Sequence, residues 1–395
     1  MKYRLFIFLF VLLEPSMASA GEWSGYLGTE FRYFTEDPRD PRQHDENFSL
    51  VFEPEYYHEW DKGTQSLAFV PFFRLDQHDN ERTHFDVREF TWAKVAENWE
   101  LRLGLRKVFW GVTEFQHLVD VINQTDLVEN IDTEDKLGQP MINLALINDW
   151  GTVDLFIMPY FRERTFPGIE GRPRNQPVVD DDLAEYESSA EETHIDFAIR
   201  YSHYFGDWDV GIAHFYGTSR DPRSFLTMNS SGAPVLAPFY DIINQTSIDL
   251  QATKGNMLWK LEALHRSGQG STYNAVAGGF EYTFVGIFDS AIDLGILGEY
   301  HYDGRGEDAL TFFEDDIATG MRFAFNDAQS SEALMGLIWD RDSGGKFLKI
   351  EASRRIGNDW LLEMEGRFLF DMSPSDPAFA LSRDDYLELF LTYNF

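Results

Sequence analysis

The sequence predicts an all-β fold: a transmembrane antiparallel β-barrel of about eighteen strands, with short periplasmic turns, long extracellular loops and sixteen strands as the alternative count. Three observations lead there. Apolar and polar side chains alternate with a period of two along most of the chain. The connections between alternating segments switch between short and, usually, long. Four of the ten Trp stand at the short ones, in "ENWELRLG", "NDWGTVDLF", "GDWDVGIAHF" and "GNDWLLEMEGRFLF".

The chain opens with a basic end (Lys2, Arg4), an apolar run from Leu5 to Leu13, a break at Glu14-Pro15 and Ala18-Ser19-Ala20 before Gly21. That order is the design of a cleaved secretory signal, and its apolar core is too short to span a bilayer. Residues 1–20 are therefore expected to be a signal peptide and residues 21–395 the barrel. Without the first twenty residues about 31 basic face about 66 acidic side chains, a net charge of about −35. Such a surface excludes nucleic acid as a partner. Cysteine is absent, which removes disulfide and thiolate chemistry. Aromatics make up 16% of the chain, too many for an acidic disordered protein. No later apolar run reaches the ~20 residues of a membrane helix.

The alternating segments carry the barrel. In Trp99–Arg106 the odd positions are Trp, Leu, Leu, Leu and the even ones Glu100, Arg102, Gly104, Arg106. The pattern predicts strands over 99–111 and 152–165, among others, with long connections at 35–47, 112–139, 166–192, 220–241, 305–316 and 373–384. A sandwich has no reason to gather tight turns at one end; a membrane barrel does. The turn-end Trp then read as an interfacial girdle, where an apolar ring can keep its N–H wet. Both termini belong on the periplasmic side. Phe395, preceded at alternate positions by Tyr393, Leu391 and Leu389, has the form of an insertion signal for the barrel-assembly machinery. Deleting Phe395 should lower the amount inserted in cells; unchanged insertion would make the match a coincidence. The other expected contacts are outer-membrane lipid and lipopolysaccharide, with a monomer favoured and the bacterial outer membrane as the location.

If the apolar positions face lipid, the alternate positions face the lumen, and these hold nearly equal numbers of acids and bases. That balance suits cross-strand ion pairs stiffening the wall, or a field focused across a pore. The expected pore-lining set is Arg102, Arg106, Arg162 and Arg164 from the fifth and seventh strands, with Arg88, Asp86, Glu100 and Asp154. In the 112–139 connection Phe115, Leu118, Val119 and Ile122 fall at helical spacing, so an amphipathic segment either folds into the pore or closes its mouth. Phe115, Leu118, Asp120, Asn123 and Asp126 are its candidate constriction residues. The acids Asp180, Asp181, Asp182 and Glu185 open a run that continues through Glu187, Glu191 and Glu192. They form either a solvated tip or a weak Ca²⁺ site, the one metal suggested by the sequence; otherwise no cofactor is expected. Asp340-Arg-Asp342-Ser-Gly-Gly is a fragment of a calcium loop. No nucleophile-elbow, zinc-helix or phosphate-loop motif occurs, so no enzyme is expected.

The segment "VREFTWAKVAENWELRLGLRKVFWGVTEFQHLVDVINQTDL", Val87 to Leu127, resembles a widespread group of porin-like proteobacterial outer-membrane barrels. The shared pattern falls on Arg88, Glu89, Gly104, Trp110, Gly111, Asp120, Asn123 and Asp126, and "PYFRERTFPG" at Pro159 is similar to their Pro-x-Phe-Arg segment. A weaker similarity runs to alginate-export barrels, although a lumen that is not predominantly basic argues against a polyuronate conduit. The resemblance implies a porin-like channel for passive diffusion of small hydrophilic or amphipathic solutes. Polymer export and a structural or docking role in an envelope export complex are the alternatives.

Overall fold

The computed structural model describes residues 21–374 and 376–395; the expected signal peptide lies outside them. In chain order the strands are β1 (Glu22–Phe34), β2 (Glu46–Trp60), β3 (Gln65–Asp76), β4 (His84–Val95), β5 (Trp99–Arg106), β6 (Gln139–Asn148) and β7 (Gly151–Met158). There follow β8 (Glu185–Tyr186), β9 (Asp196–Phe205), β10 (Trp208–Thr218), β11 (Arg223–Met228), β12 (Pro234–Tyr240), β13 (Ile242–Lys254) and β14 (Met257–Ser267). The last are β15 (Tyr273–Phe284), β16 (Asp293–Asp303), β17 (Asp315–Ala324), β18 (Glu332–Asp340), β19 (Lys346–Ile356), β20 (Trp360–Phe370) and β21 (Tyr386–Asn394).

Eighteen of these, all but β8, β11 and β12, form one antiparallel sheet. It closes because β1 pairs with β2 on one side and β21 on the other, leaving no free edge. The count is eighteen rather than sixteen. One register interruption lies between Phe52↔Phe73 and Tyr56↔Phe69 and coincides with Pro54 and Pro71, whose missing N–H groups cannot serve a ladder.

Sidedness is the reverse of a soluble protein. Along β18, Met335, Leu337 and Trp339 are exposed while Leu334, Ile338 and Asp340 are buried. Around the barrel Glu30, Arg32, Arg74, Arg88, Asp249, Glu262, Arg266, Glu299, Lys349 and Arg367 point inward and are buried. The period-two reading thus assigns faces correctly. Trp23, Trp60, Trp99, Trp150, Trp208, Trp259 and Trp360 all lie within three residues of the turn end of a strand. The tight turns use left-handed backbone, at Asp61 and Lys62 and at Gly206, Gly255 and Gly357, as two-residue hairpins require.

Three expectations are corrected. β5 ends at Arg106 and β7 at Met158, short of 111 and 165, because the chain there turns off the wall. The 220–241 connection, expected only as a long loop, carries two strands: β11 and β12 form a hairpin whose sheet β8 joins in parallel. Residues 107–138 contain no helix, despite the helical spacing of Phe115, Leu118, Val119 and Ile122.

Candidate functional site

The long connection after β5 folds into the lumen and is seated on the wall in several directions. Its base is apolar: Trp110, Val119, Val121 and Ile122 pack with Met141, Phe156, Met158, Phe215 and Ile243 of the inner wall. From there one limb runs to the far wall. Glu262 on β14, fully buried, accepts from Val112 N at 2.6 Å, Thr113 N at 2.9 Å, Thr113 Oγ1 at 2.7 Å and Val119 N at 3.0 Å. Glu299 on β16 accepts from Glu114 N at 2.7 Å and Phe115 N at 3.2 Å. The Glu114 carboxylate meets Arg322 at 2.6 Å and Lys260 at 3.3 Å. This grip explains the missing helix: the N–H groups that would close helical turns donate to wall carboxylates instead.

The Phe115 ring lies on a pad made by Gly320 and Gly336, which are partners across the β17–β18 ladder. A Cβ on Gly336 would stand 2.3 Å from the ring, so only glycine leaves room. Gly336→Leu should therefore unseat the limb and raise open-channel current noise without loss of barrel mobility on gels. A quiet, unchanged current would show the seat to be unimportant.

The return limb is bound by charge. Asn123, fully buried, accepts from Val108 N at 2.8 Å and donates to Arg106 O at 2.7 Å and Leu137 O at 2.8 Å. Asp126 pairs with Arg88. Asp120 meets Lys136 at 3.3 Å; burial pushes its carboxyl up against that attraction. Glu129 bonds Arg74 through both oxygens, at 3.1 and 2.6 Å. Burial opposes ionisation of Glu129, but Arg74, Arg82 and Arg88 outweigh it and hold the carboxyl below its usual range. Farther round, Asp132 reaches Arg367 on β20 at 2.9 Å and Glu134 reaches Lys349 on β19 at 3.0 Å.

The four arginines expected to share one cluster have separate partners. Arg102 and Arg106 are on β5 and donate to Asn143 Oδ1 at 3.3 and 2.7 Å; Asn143 in turn donates to Asp154 at 3.2 Å. Glu100 pairs with Arg102. Arg162 and Arg164 are not strand residues. Arg162 bonds Asp86 at 2.8 Å and Gly138 O at 3.0 Å, while Arg164 bonds Asp221 at 2.9 Å and Gln124 at 3.2 Å. They hold the infolded loop and the outer loops. Leu118 packs on Leu264, Tyr273 and Ala275. Glu262 and Glu299 lie on the buried, lumen-facing side of their strands, and nothing local in the sequence marks a wall carboxylate as the acceptor of a distant backbone.

Asp180, Asp181, Asp182 and Glu185 do not gather around a common point. Among the described residues, two trios bring ligand atoms within 4.8 Å of one another, His84/Asp126/Glu129 and Asp132/Glu351/Glu365, and neither includes them. Both trios are occupied by arginines, chiefly Arg88 and Arg74 in the first and Arg367 in the second.

Between the infolded loop and the loop end of the barrel lies a cavity of about 540 Å³. Phe115, Leu118, Thr133 and Lys136 contribute to its boundary from the loop, Tyr273, Phe313, Asp316 and Asp340 from the opposite side. Most of its bases are already paired, Arg305 with Asp303 and Arg266 with Asp221 for example.

No protein-family model matches the chain, and no curated protein matches it in sequence. Among solved structures it is similar to OccD3 of Pseudomonas aeruginosa, at 11% identity over 96% of this chain and 92% of that one, with a TM-score of 0.54. OccK3 of the same organism matches at 11% identity, 95% and 96% coverage and a TM-score of 0.53. Wzi of Escherichia coli, described as an outer-membrane, carbohydrate-binding β-barrel involved in group 1 capsule assembly, matches at 9% identity, 93% and 84% coverage and a TM-score of 0.53. Identities this low speak to fold alone, and the fold they share with this chain is that of an outer-membrane β-barrel.

Proposed function

We propose that the chain is an outer-membrane, porin-like channel that passes small hydrophilic or amphipathic solutes passively, its aperture set by the infolded 107–138 loop. The observation that carries this reading is the grip of Glu262 and Glu299 on that loop, which holds a limb across the lumen beneath a cavity of about 540 Å³. A solute entering the cavity meets aromatic faces and paired charges, then the limb, then the wall around Arg102, Arg106, Glu100 and Asp154. Wall charges replace part of its hydration, and the narrowest ring sets the size limit, with no cofactor needed. Uptake of graded solutes into liposomes tests this: small polar solutes should equilibrate and large oligosaccharides should not. Entry of long polymers would favour export, and entry of nothing would favour a docking body.

Selectivity follows from loop charge. The acidic outer loops concentrate cations over a Debye length of ~10 Å at 0.1 M salt, so reversal potentials should show mild cation preference. Arg102→Gln with Arg106→Gln should strengthen it. Arg162→Gln with Arg164→Gln should instead loosen the loop and raise current noise. No change from the first pair would place those arginines away from the conduction path.

A further inference from the structure

We propose that the free edge of β11 binds an extended, basic peptide by strand addition, beside the mouth of the cavity. The outer sheet has the order β11-β12-β8, so β12 is paired on both sides and β11 on one. Successive residues of an antiparallel strand bond alternately to one side and the other. The phase on β11 is fixed by its partners. Ser224 and Met228 stand opposite Pro238 and Pro234, which have no N–H to give a ladder. Leu226 stands opposite Leu236, whose N–H goes to Val178 O at 3.0 Å and whose carbonyl accepts from Asp180 N at 2.8 Å, away from β11. At the hairpin tip Asn229 N donates to Ala233 O at 2.9 Å, so the odd-numbered residues bond across the hairpin. The N–H and C=O groups of Ser224, Leu226 and Met228 therefore point outward, and among the described residues nothing pairs with them.

Exposed edges are normally blunted by lysine, proline or a bulge. β11 has none of these over its 6 residues, and its register on β12 is unbroken. Its one base, Arg223, is turned to Asp241 of the same hairpin. Leu226 is 66% and Met228 64% exposed, so the edge is open to solvent. Outward donors and acceptors recur at every second residue, about 6.8 Å apart. A polypeptide main chain is the ligand class that repeats both at that spacing. Ser224 also borders the cavity, so a docked segment begins at its boundary.

Charge selects the segment. Asp180, Asp181 and Asp182 follow the bridge of Val179 to Leu236 on the far side of β12, Glu185 lies on β8, and the chain carries a net charge of −34. That field opposes a second copy of this chain on the edge and favours basic side chains there. Leu226 and Met228 share a face with every second residue of an added strand, and cross-strand packing favours apolar residues at those positions.

The test uses the intact protein in detergent and a fluorescent peptide of alternating Lys and Val, read by anisotropy. A counterpart N-methylated at every residue keeps the charge and side chains but offers no N–H. The first should bind, and the second at least about tenfold more weakly, because the edge carbonyls lose their donors. Leu226→Pro and Ser224→Pro each remove one outward N–H and spare the bonds to β12; each should weaken binding of the first peptide about fivefold or more. Heat-modifiable gel mobility checks the barrel in both variants, and the comparison of peptides needs no variant at all. Conduction plays no part, so a silent bilayer would leave the edge untouched. No binding, equal binding of the two peptides, or unchanged binding in both proline variants would overturn the site. So would a dimer of the unaltered protein that Leu226→Pro dissolves, which would give the edge to a second copy.

Discussion

Replacing Thr113–His117 with two glycines should raise single-channel conductance several-fold and lift the solute size limit. Those residues make the limb that reaches the far wall: Thr113 donates to Glu262, Glu114 and Phe115 donate to Glu299, and the Phe115 ring fills the space over Gly336. The barrel itself should persist, because the ladder is untouched and the apolar seat of Trp110, Val121 and Ile122 remains. Glu262 would keep Val112 N and Val119 N as donors, while Glu299 would face lumen water, where a carboxylate is readily hydrated. Planar-bilayer recordings read the outcome. Unchanged conductance in a correctly folded variant would place the narrowest point elsewhere.

Glu30→Ala should cost about 3–5 kcal/mol, the usual loss when one partner of a buried ion-pair group is removed. Glu30 on β1 bonds Arg74 at 2.7 Å and Arg82 at 2.7 and 2.9 Å, with Arg32 3.6 Å away, and all four residues are buried. Its loss strands three guanidinium groups against Glu129, Asp76 and Glu388, which already share them. Those three acids should keep the cost at the lower end. Urea unfolding from detergent or lipid vesicles measures it. A change under about 1 kcal/mol would mean that lumen water, not Glu30, solvates the cluster.

Much of this molecule is written in alternation. A strand with lipid on one face and charge on the other must alternate, so face and register follow from single residues. Turn-end Trp mark one rim. Legibility fails where the chain leaves the wall. Phe109 keeps the apolar phase of β5 and is exposed, but Val108 and Trp110 are apolar on the phase that is polar in β5, and Trp110 is buried inside the lumen against Phe156 and Arg200. Pro159 and Phe161 continue that of β7, yet Phe161 packs on Tyr240 of the outer hairpin. Helical spacing misleads in 115–122 because tertiary acceptors outcompete the helix for its N–H groups.

The segment Val87–Leu127 is informative for a physical reason. Gly104 lies so close to Phe90 O that a Cβ would approach it to 1.9 Å. Arg88 pairs with Asp126, Asn123 bridges three backbone groups, Asp120 meets Lys136 and Trp110 fills the base. Most of the pattern therefore describes the seat of the infolded loop. The far-wall acceptors Glu262 and Glu299 lie outside it, and their role emerges only when the barrel closes.

The central claim, that this barrel conducts through an aperture beside its infolded loop, is tested most directly by steady-state current through the unaltered protein in a planar bilayer. Insertion is checked on the same preparation by heat-modifiable gel mobility. The account predicts discrete, stable current steps with mild cation preference at low salt. A silent bilayer containing folded, inserted protein would contradict it and make the loop a plug.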